Sequence, residues 1–533
     1  MSRAFFRKTA AVGATTFLSR VTGLVREIVQ LAVIPTAALE VFVLANQIPN
    51  LLRRLFAEGA FAQAFVPVVA EYRARRTSAD VRDLVESVAG TLSVVLLVVT
   101  AIGLIAAPIM VLVFAPGFVA KDEGQFALAT EMLRWTFPYI LFVSLTSLAA
   151  GVLNSYERFA LPAFGSVVLN LTAIVFAAWV APHFERPVLA LAIGVFVGGW
   201  LQLAIQLPPL VRLGLLRWPR WNRQHEAVQR IARLMGPAIL GSSMGQLSIL
   251  LSTGIASFLA DASMTWLHAA DRLVEFPLGV FSIALATVIL PSLSAHHARS
   301  SPEEFAATLA WAIRLVFLIV IPASVALFVL AGPLTVAIYH RGAFTALDVE
   351  MTRTALMAFS LALLGWSLIK VLAPGYYARQ DTRAPVRVAA KALAVTMAIN
   401  LIVIAVLFAT GRREVPGMHA LLAISNGVGA VLNAAWLYAG LRKRNVMYAD
   451  SRIRSILARI LGASALMALF LWLLGGEVEA WLVAPTATRI LWLGGLVAGG
   501  AAVYFGALWL LGARSEHFRL QLPLPGSDAA PKA

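Results

Sequence analysis

Arg20 and Arg26 lie in one apolar stretch, Arg53 and Arg54 in the next, and Arg272 in a third. The second stretch runs from Ala38 to Ala70 and would be roughly 50 Å long as a helix, more than a bilayer needs. Charges near the middle of such a span cost at least ~2.5–3.5 kcal/mol each, so they are kept only with partners. Guanidinium presents five N–H donors in a planar fork that matches phosphate and diphosphate. Carboxylates lie close by in sequence: Glu27, Glu40, Glu58, Asp271 and Glu275. Two readings follow. In the first the charges pair internally, Arg54 with Glu58 and Arg272 with Glu275 at helical spacing. In the second, Glu27, Glu58 and Glu275 each take one arginine, and the surplus guanidinium serves an anionic substrate in a water-filled cavity.

Other chemistry is thinly supplied. The chain has no cysteine, which excludes disulfides, thiolate metal sites and cysteine nucleophiles. Its eight histidines form no HExxH motif, so no metal site and no cofactor is expected. The net charge of +16 comes from short basic clusters between apolar runs, a membrane-topology pattern, and no nucleic-acid-binding motif accompanies it.

The elements that carry these arginines are membrane helices. Of 533 residues, 60% are hydrophobic and only 13% charged, against about 25% charged in a soluble domain. Apolar runs predict an all-α polytopic protein of about 14 transmembrane helices, at roughly 10–34, 38–70, 82–113, 126–153, 160–181, 187–213, 227–259, 264–297, 303–330, 346–376, 384–409, 416–441, 453–475 and 487–512. The basic N-terminus followed by an apolar run broken at Arg20 reads as a retained first helix. Basic loops alternate with loops poor in Lys and Arg, which predicts that both termini are cytoplasmic; Arg412-Arg413 is the exception.

The chain also echoes itself at an offset of roughly 221–225 residues. Pro67 and Arg75 recur as Pro291 and Arg299, and Tyr156-Glu157-Arg158 recurs as Tyr377-Ala378-Arg379. Six helices per repeat insert the same way up, giving two six-helix lobes in parallel repeat plus two extra C-terminal helices. The expected domains are an N-lobe (1–213), a basic cytoplasmic linker (214–226), a C-lobe (227–441), a helix pair (442–513) and a disordered cytoplasmic tail (514–533). Trp218 and Trp221 in the linker suggest contact with anionic membrane lipids. Prolines and glycines in spans 1, 2, 7 and 8 serve either close packing or bending.

Ser19-Arg20-Val21-x-Gly23-x-x-Arg26-Glu27, Pro49-Asn50-Leu51-Leu52-Arg53-Arg54-Leu55-Phe56-Ala57-Glu58-Gly59 and Ala270-Asp271-Arg272-Leu273-x-Glu275-Phe276-Pro277 resemble the MurJ (MviN) lipid II flippase family. So does Lys370-Val371-Leu372-Ala373-Pro374-Gly375-Tyr376-Tyr377. The resemblance implies a transporter, not an enzyme, in the multidrug/oligosaccharidyl-lipid/polysaccharide exporter superfamily. It would sit in the bacterial cytoplasmic (inner) membrane and move undecaprenyl-diphosphate-linked peptidoglycan precursor to the outer leaflet by alternating access. The last two helices would hold the lipid tail, and the peptidoglycan synthesis machinery would be a possible partner. The resemblance assigns substrate handling to Arg20, Arg26, Arg53, Arg272, Glu40, Glu275, Thr265 and Lys370; the spacing of the charges, rather than the resemblance, places Glu27, Arg54, Glu58 and Asp271 in support as ion-pair partners. Some members have a sodium site with an Asp in span 11; Asn400 stands in that span here, so that site is not carried over. A cation-coupled drug exporter would place carboxylates at the cavity centre. A flippase for another polyprenyl-linked oligosaccharide stays open. A glycosyltransferase would need a larger outer loop, and a scaffold would have no use for buried arginines.

Overall fold

The computed structural model describes residues 3–53, 61–121, 123–215, 218–447, 451–518 and 520. Arg54 and Glu58, two of the expected support residues, lie outside the described residues, as does most of the expected tail. Every regular element among the described residues is helical, and they fall into two compact units. Among the described residues, ten helices are long and apolar enough to cross a membrane. They correspond to ten of the fourteen expected spans. The four not among them are spans 1, 2, 7 and 8.

The first unit comprises Met1–Thr265 with Arg341–Phe344. In it run α1 (Arg3–Val33), α2 (Thr36–Leu52), α3 (Ala62–Arg75), α4 (Ser78–Phe114), α5 (Pro116–Lys121), α6 (Glu123–Thr136), α7 (Tyr139–Ser155), α8 (Ala160–Val175), α9 (Pro187–Ala204), α10 (Leu207–Arg212) and α11 (Glu226–Ala256). Helix α4 starts on a capping box: the Thr77 side chain accepts from the Asp80 backbone N–H while Asp80 accepts from that of Thr77. Phe65, Leu84 and Val152 form a core between α3, α4 and α7, and Leu210, Leu215 and Ile231 pack into the same cluster. That shared core is why α11 groups with the first six spans, although the repeat assigns span 7 to the second lobe.

The basic linker is docked rather than loose. Arg220 donates its backbone N–H to Glu86 O at 3.2 Å, and Asn222 N reaches Thr91 Oγ1 at 3.4 Å. Gly90 makes this possible, since a Cβ there would lie 2.2 Å from Arg220 O. His225 accepts from Ala227 N through Nδ1, capping α11, and its Nε2 lies 3.3 Å from Asp83. Trp218 remains exposed.

The second unit comprises Trp266–His340 with Thr345–Ala533. It holds the rest of α12 (Ser263–Pro277), then α13 (Ile283–Ala298), α14 (Pro302–Val329), α15 (Ala331–Tyr339), α16 (Ala346–Tyr377), α17 (Arg383–Ala409), α18 (Ala420–Lys443), α19 (Ser451–Gly475), α20 (Val478–Val483) and α21 (Thr486–Leu510). Lipid tails are as apolar as leucine, so helix association in a bilayer rests on close packing and interhelical hydrogen bonds. Helices α16 and α18 approach through Gly365, where a Cβ would sit 2.8 Å from the Ala430 backbone. Tyr376 adds a bond from its hydroxyl to Leu437 O at 2.7 Å. The C-terminal pair is bolted on by polar groups. Tyr504 donates to Leu318 O at 2.7 Å, and buried Arg489 donates to His340 O and Leu482 O at 3.0 and 2.7 Å. Residues Ser515–Phe518 form a short 3-10 turn whose Phe518 O accepts from Trp311 Nε1, so the start of the expected disordered tail is held in place.

Candidate substrate-handling site

In the first unit, Arg26 of α1 donates from Nη1 to Asn170 Oδ1 at 3.1 Å. Its Nη2 lies 3.7 Å from Glu27, itself only 5% exposed. Asn170 sits on α8 among apolar residues and is 7% exposed. Its Nδ2 donates to Ser19 O and Thr22 Oγ1 at 3.1 and 3.2 Å. Arg20, nearly two turns earlier on α1, is exposed. Arg53, just beyond the end of α2, is half-buried and donates from Nε to Asn50 Oδ1 at 3.1 Å. An amide oxygen orients a guanidinium as a carboxylate would, but adds no negative charge. Both asparagines accept from a candidate arginine, and only Asn50 stood inside a recognised motif. A lone Asn in the apolar run Val167–Leu171 was the available signal for Asn170.

Glu40 and Thr265 bond to backbone groups. Glu40 is fully buried, and its two carboxylate oxygens accept from Ala262 N at 2.7 Å and Met264 N at 3.1 Å. Thr265 donates its hydroxyl to Thr36 O at 2.8 Å. Together they pin the turn between α11 and α12 to the start of α2. That turn is strained, with Ala262 at φ +71°. Lys121 with Asp261 at 3.2 Å, and Gly117 N donating to Ser257 Oγ at 3.0 Å, tie the same turn to α5. A second turn is fastened within the same unit: Ala343 N donates to Ala32 O at 2.8 Å. Gly342 permits it, with φ +57° and no room for a Cβ beside Ala32 O.

In the second unit, Arg272 Nη1 donates to Glu275 Oε2 at 2.7 Å, one of the internal pairs expected from spacing. The side chains are 36% and 45% exposed. Asp271 is half-buried beside Arg272 in sequence, and Lys370 is exposed on α16. Asp381, in the loop after α16, caps α17 through Ala384 N and pairs with Arg444. The bond from Arg444 holds its carboxyl below the usual carboxylate range. No group of three or more His, Cys, Asp or Glu placed to hold a metal occurs among the described residues.

The family model described as lipid II flippase MurJ matches residues 35–491. The chain is 40% identical over 515 residues to a Haemophilus influenzae protein described as a probable lipid II flippase MurJ, covering 94% of this chain and 99% of that one. It is 40% identical over 525 residues to the lipid II flippase MurJ of Burkholderia cenocepacia, with 96% and 99% covered. Among solved structures it superposes on a lipid II flippase MurJ in an inward closed conformation with TM-score 0.75 at 19% identity, over 94% of this chain and 98% of that one. An inward-facing multidrug resistance MATE family transporter of the MOP superfamily gives TM-score 0.64 at 12% identity, over 80% and 95%. At those identities the two structures speak for the fold.

Proposed function

Because the chain belongs to the lipid II flippase MurJ family, we propose that it is a lipid II flippase, a transporter rather than an enzyme. It carries undecaprenyl-diphosphate-linked peptidoglycan precursor from the cytoplasmic to the outer leaflet of the bacterial inner membrane. The observation that carries this reading is the pair of guanidinium groups, Arg26 on α1 and Arg53 at the end of α2, each donating to an asparagine oxygen in a chain otherwise rich in apolar helices. Flipping breaks no bond. It requires a polar path for a headgroup that hydrocarbon excludes, and donors matched to a diphosphate supply one.

In this reading Arg20, Arg26, Arg53 and Arg272 receive the headgroup, and Glu275 holds Arg272 until substrate displaces it. Glu40 and Thr265 act as a latch on the turn before α12 rather than as ligands. The two lobes follow the six-helix repeat, both termini are cytoplasmic, and the peptidoglycan synthesis machinery is the expected neighbour in the cell. Depletion in cells, combined with an assay of which leaflet holds the lipid-linked precursor, tests the function. Accumulation on the cytoplasmic face supports it. Unchanged distribution, with loss of a drug-efflux phenotype instead, overturns it.

A further inference from the structure

We propose that Asn170 is the positioning residue that presents Arg26 to the diphosphate. This inference rests on the function proposed above. The amide is nearly buried, and both of its ends are used. Oδ1 accepts from Arg26, while Nδ2 donates to Ser19 O and Thr22 Oγ1. Thr22 in turn donates to Leu18 O at 2.9 Å, which commits its hydroxyl proton and leaves a lone pair for Asn170. The network therefore fixes the amide's orientation. Reversed, it would set NH2 against guanidinium N–H and oxygen against the Ser19 carbonyl. Asn170 thus reads the turn of α1 that precedes Arg26 and aims one guanidinium nitrogen from a neighbouring helix.

Residue type matters as much as position. Aspartate is nearly isosteric, but it would add a negative charge beside Arg26, repel an anion and lose both donated bonds. Leucine would remove the aim altogether. A hydrogen bond involving a charged group is worth about ten-fold in an equilibrium constant, which sets the size of the expected effect.

The test uses the full-length protein in nanodiscs with two probes, undecaprenyl diphosphate and undecaprenol, and follows thermal unfolding in parallel. Asn170→Leu and Asn170→Asp should each weaken undecaprenyl diphosphate binding about ten-fold and leave undecaprenol binding within two-fold. In an Arg26→Ala background, Asn170→Leu should add less than a two-fold further loss. Equal losses for both probes, or the same ten-fold loss with Arg26 already gone, would show that Asn170 only fastens α8 to α1. Either result overturns the inference alone. If Arg26→Ala binds undecaprenyl diphosphate like the wild type, the headgroup reading fails and this inference falls with it. Should Asn170→Leu not reach the membrane, the selectivity of Asn170→Asp between the two probes decides.

Discussion

What accepts from a buried arginine decides what the arginine can still do. Asparagine oxygens accept from Arg26 and Arg53, Glu27 lies 3.7 Å from Arg26, and Glu275 pairs with Arg272 at 2.7 Å. Glu40 uses its charge differently. Each of its oxygens accepts from a backbone N–H, and the latch proposed above assigns its loss to stability rather than to substrate affinity. Glu40→Gln keeps one acceptor and turns an NH2 toward a backbone donor. It should cost about 1–3 kcal/mol of stability, read as a lower melting temperature in detergent, with lipid II affinity unchanged in the folded fraction. A normal melting temperature with weakened lipid II binding would return Glu40 to the headgroup site.

Among elements, the strongly apolar helices were legible from composition, and they match ten of the fourteen expected spans. Spans 1, 2, 7 and 8 differ for a physical reason. Span 8 is divided into α12 and α13, of 15 and 16 residues, by the π-helical Leu278–Ser282, and the described parts of span 2 are α2 and α3, of 17 and 14 residues. Helices α1 and α11 are long, but polar residues such as Arg20, Arg26 and Gln246 interrupt them. Spacing also revealed the Arg272–Glu275 pair, since i,i+3 contacts are local. It could not reveal the Glu40 pin or the Asn170 bond, whose partners lie 222 and 144 residues away. The linker's seat on α4 was hidden for the same reason. Gly90→Val should force Arg220 off α4. Trypsin would then cut the linker at Arg220 or Arg223 several-fold faster in membranes opened to the cytoplasmic side; unchanged cleavage would mean the linker does not rest on Gly90.

On the scale of the whole chain, the four atypical spans are the first two of each expected six-helix repeat. That regularity fits a transporter in which spans 1, 2, 7 and 8 handle substrate and the others form the apolar frame. Glu40 and Ala262 are 222 residues apart, within the repeat offset, so the latch joins the start of span 2 to the approach to its counterpart. Topology is directly testable, because the absence of cysteine gives a clean background. A cysteine at Glu477 should react with an impermeant maleimide from outside. One at Arg223 should react only after permeabilisation. The reverse pattern would invert the assigned orientation.

The most direct measurement is transbilayer movement of lipid II in proteoliposomes, followed by the accessibility of its headgroup to an external enzyme. Wild-type protein should bring the outer-leaflet fraction to equilibrium. Arg26→Ala and Arg53→Ala should each slow that movement by at least ten-fold while keeping a normal melting temperature. Movement at the wild-type rate in both variants would contradict the central role given to the two arginines.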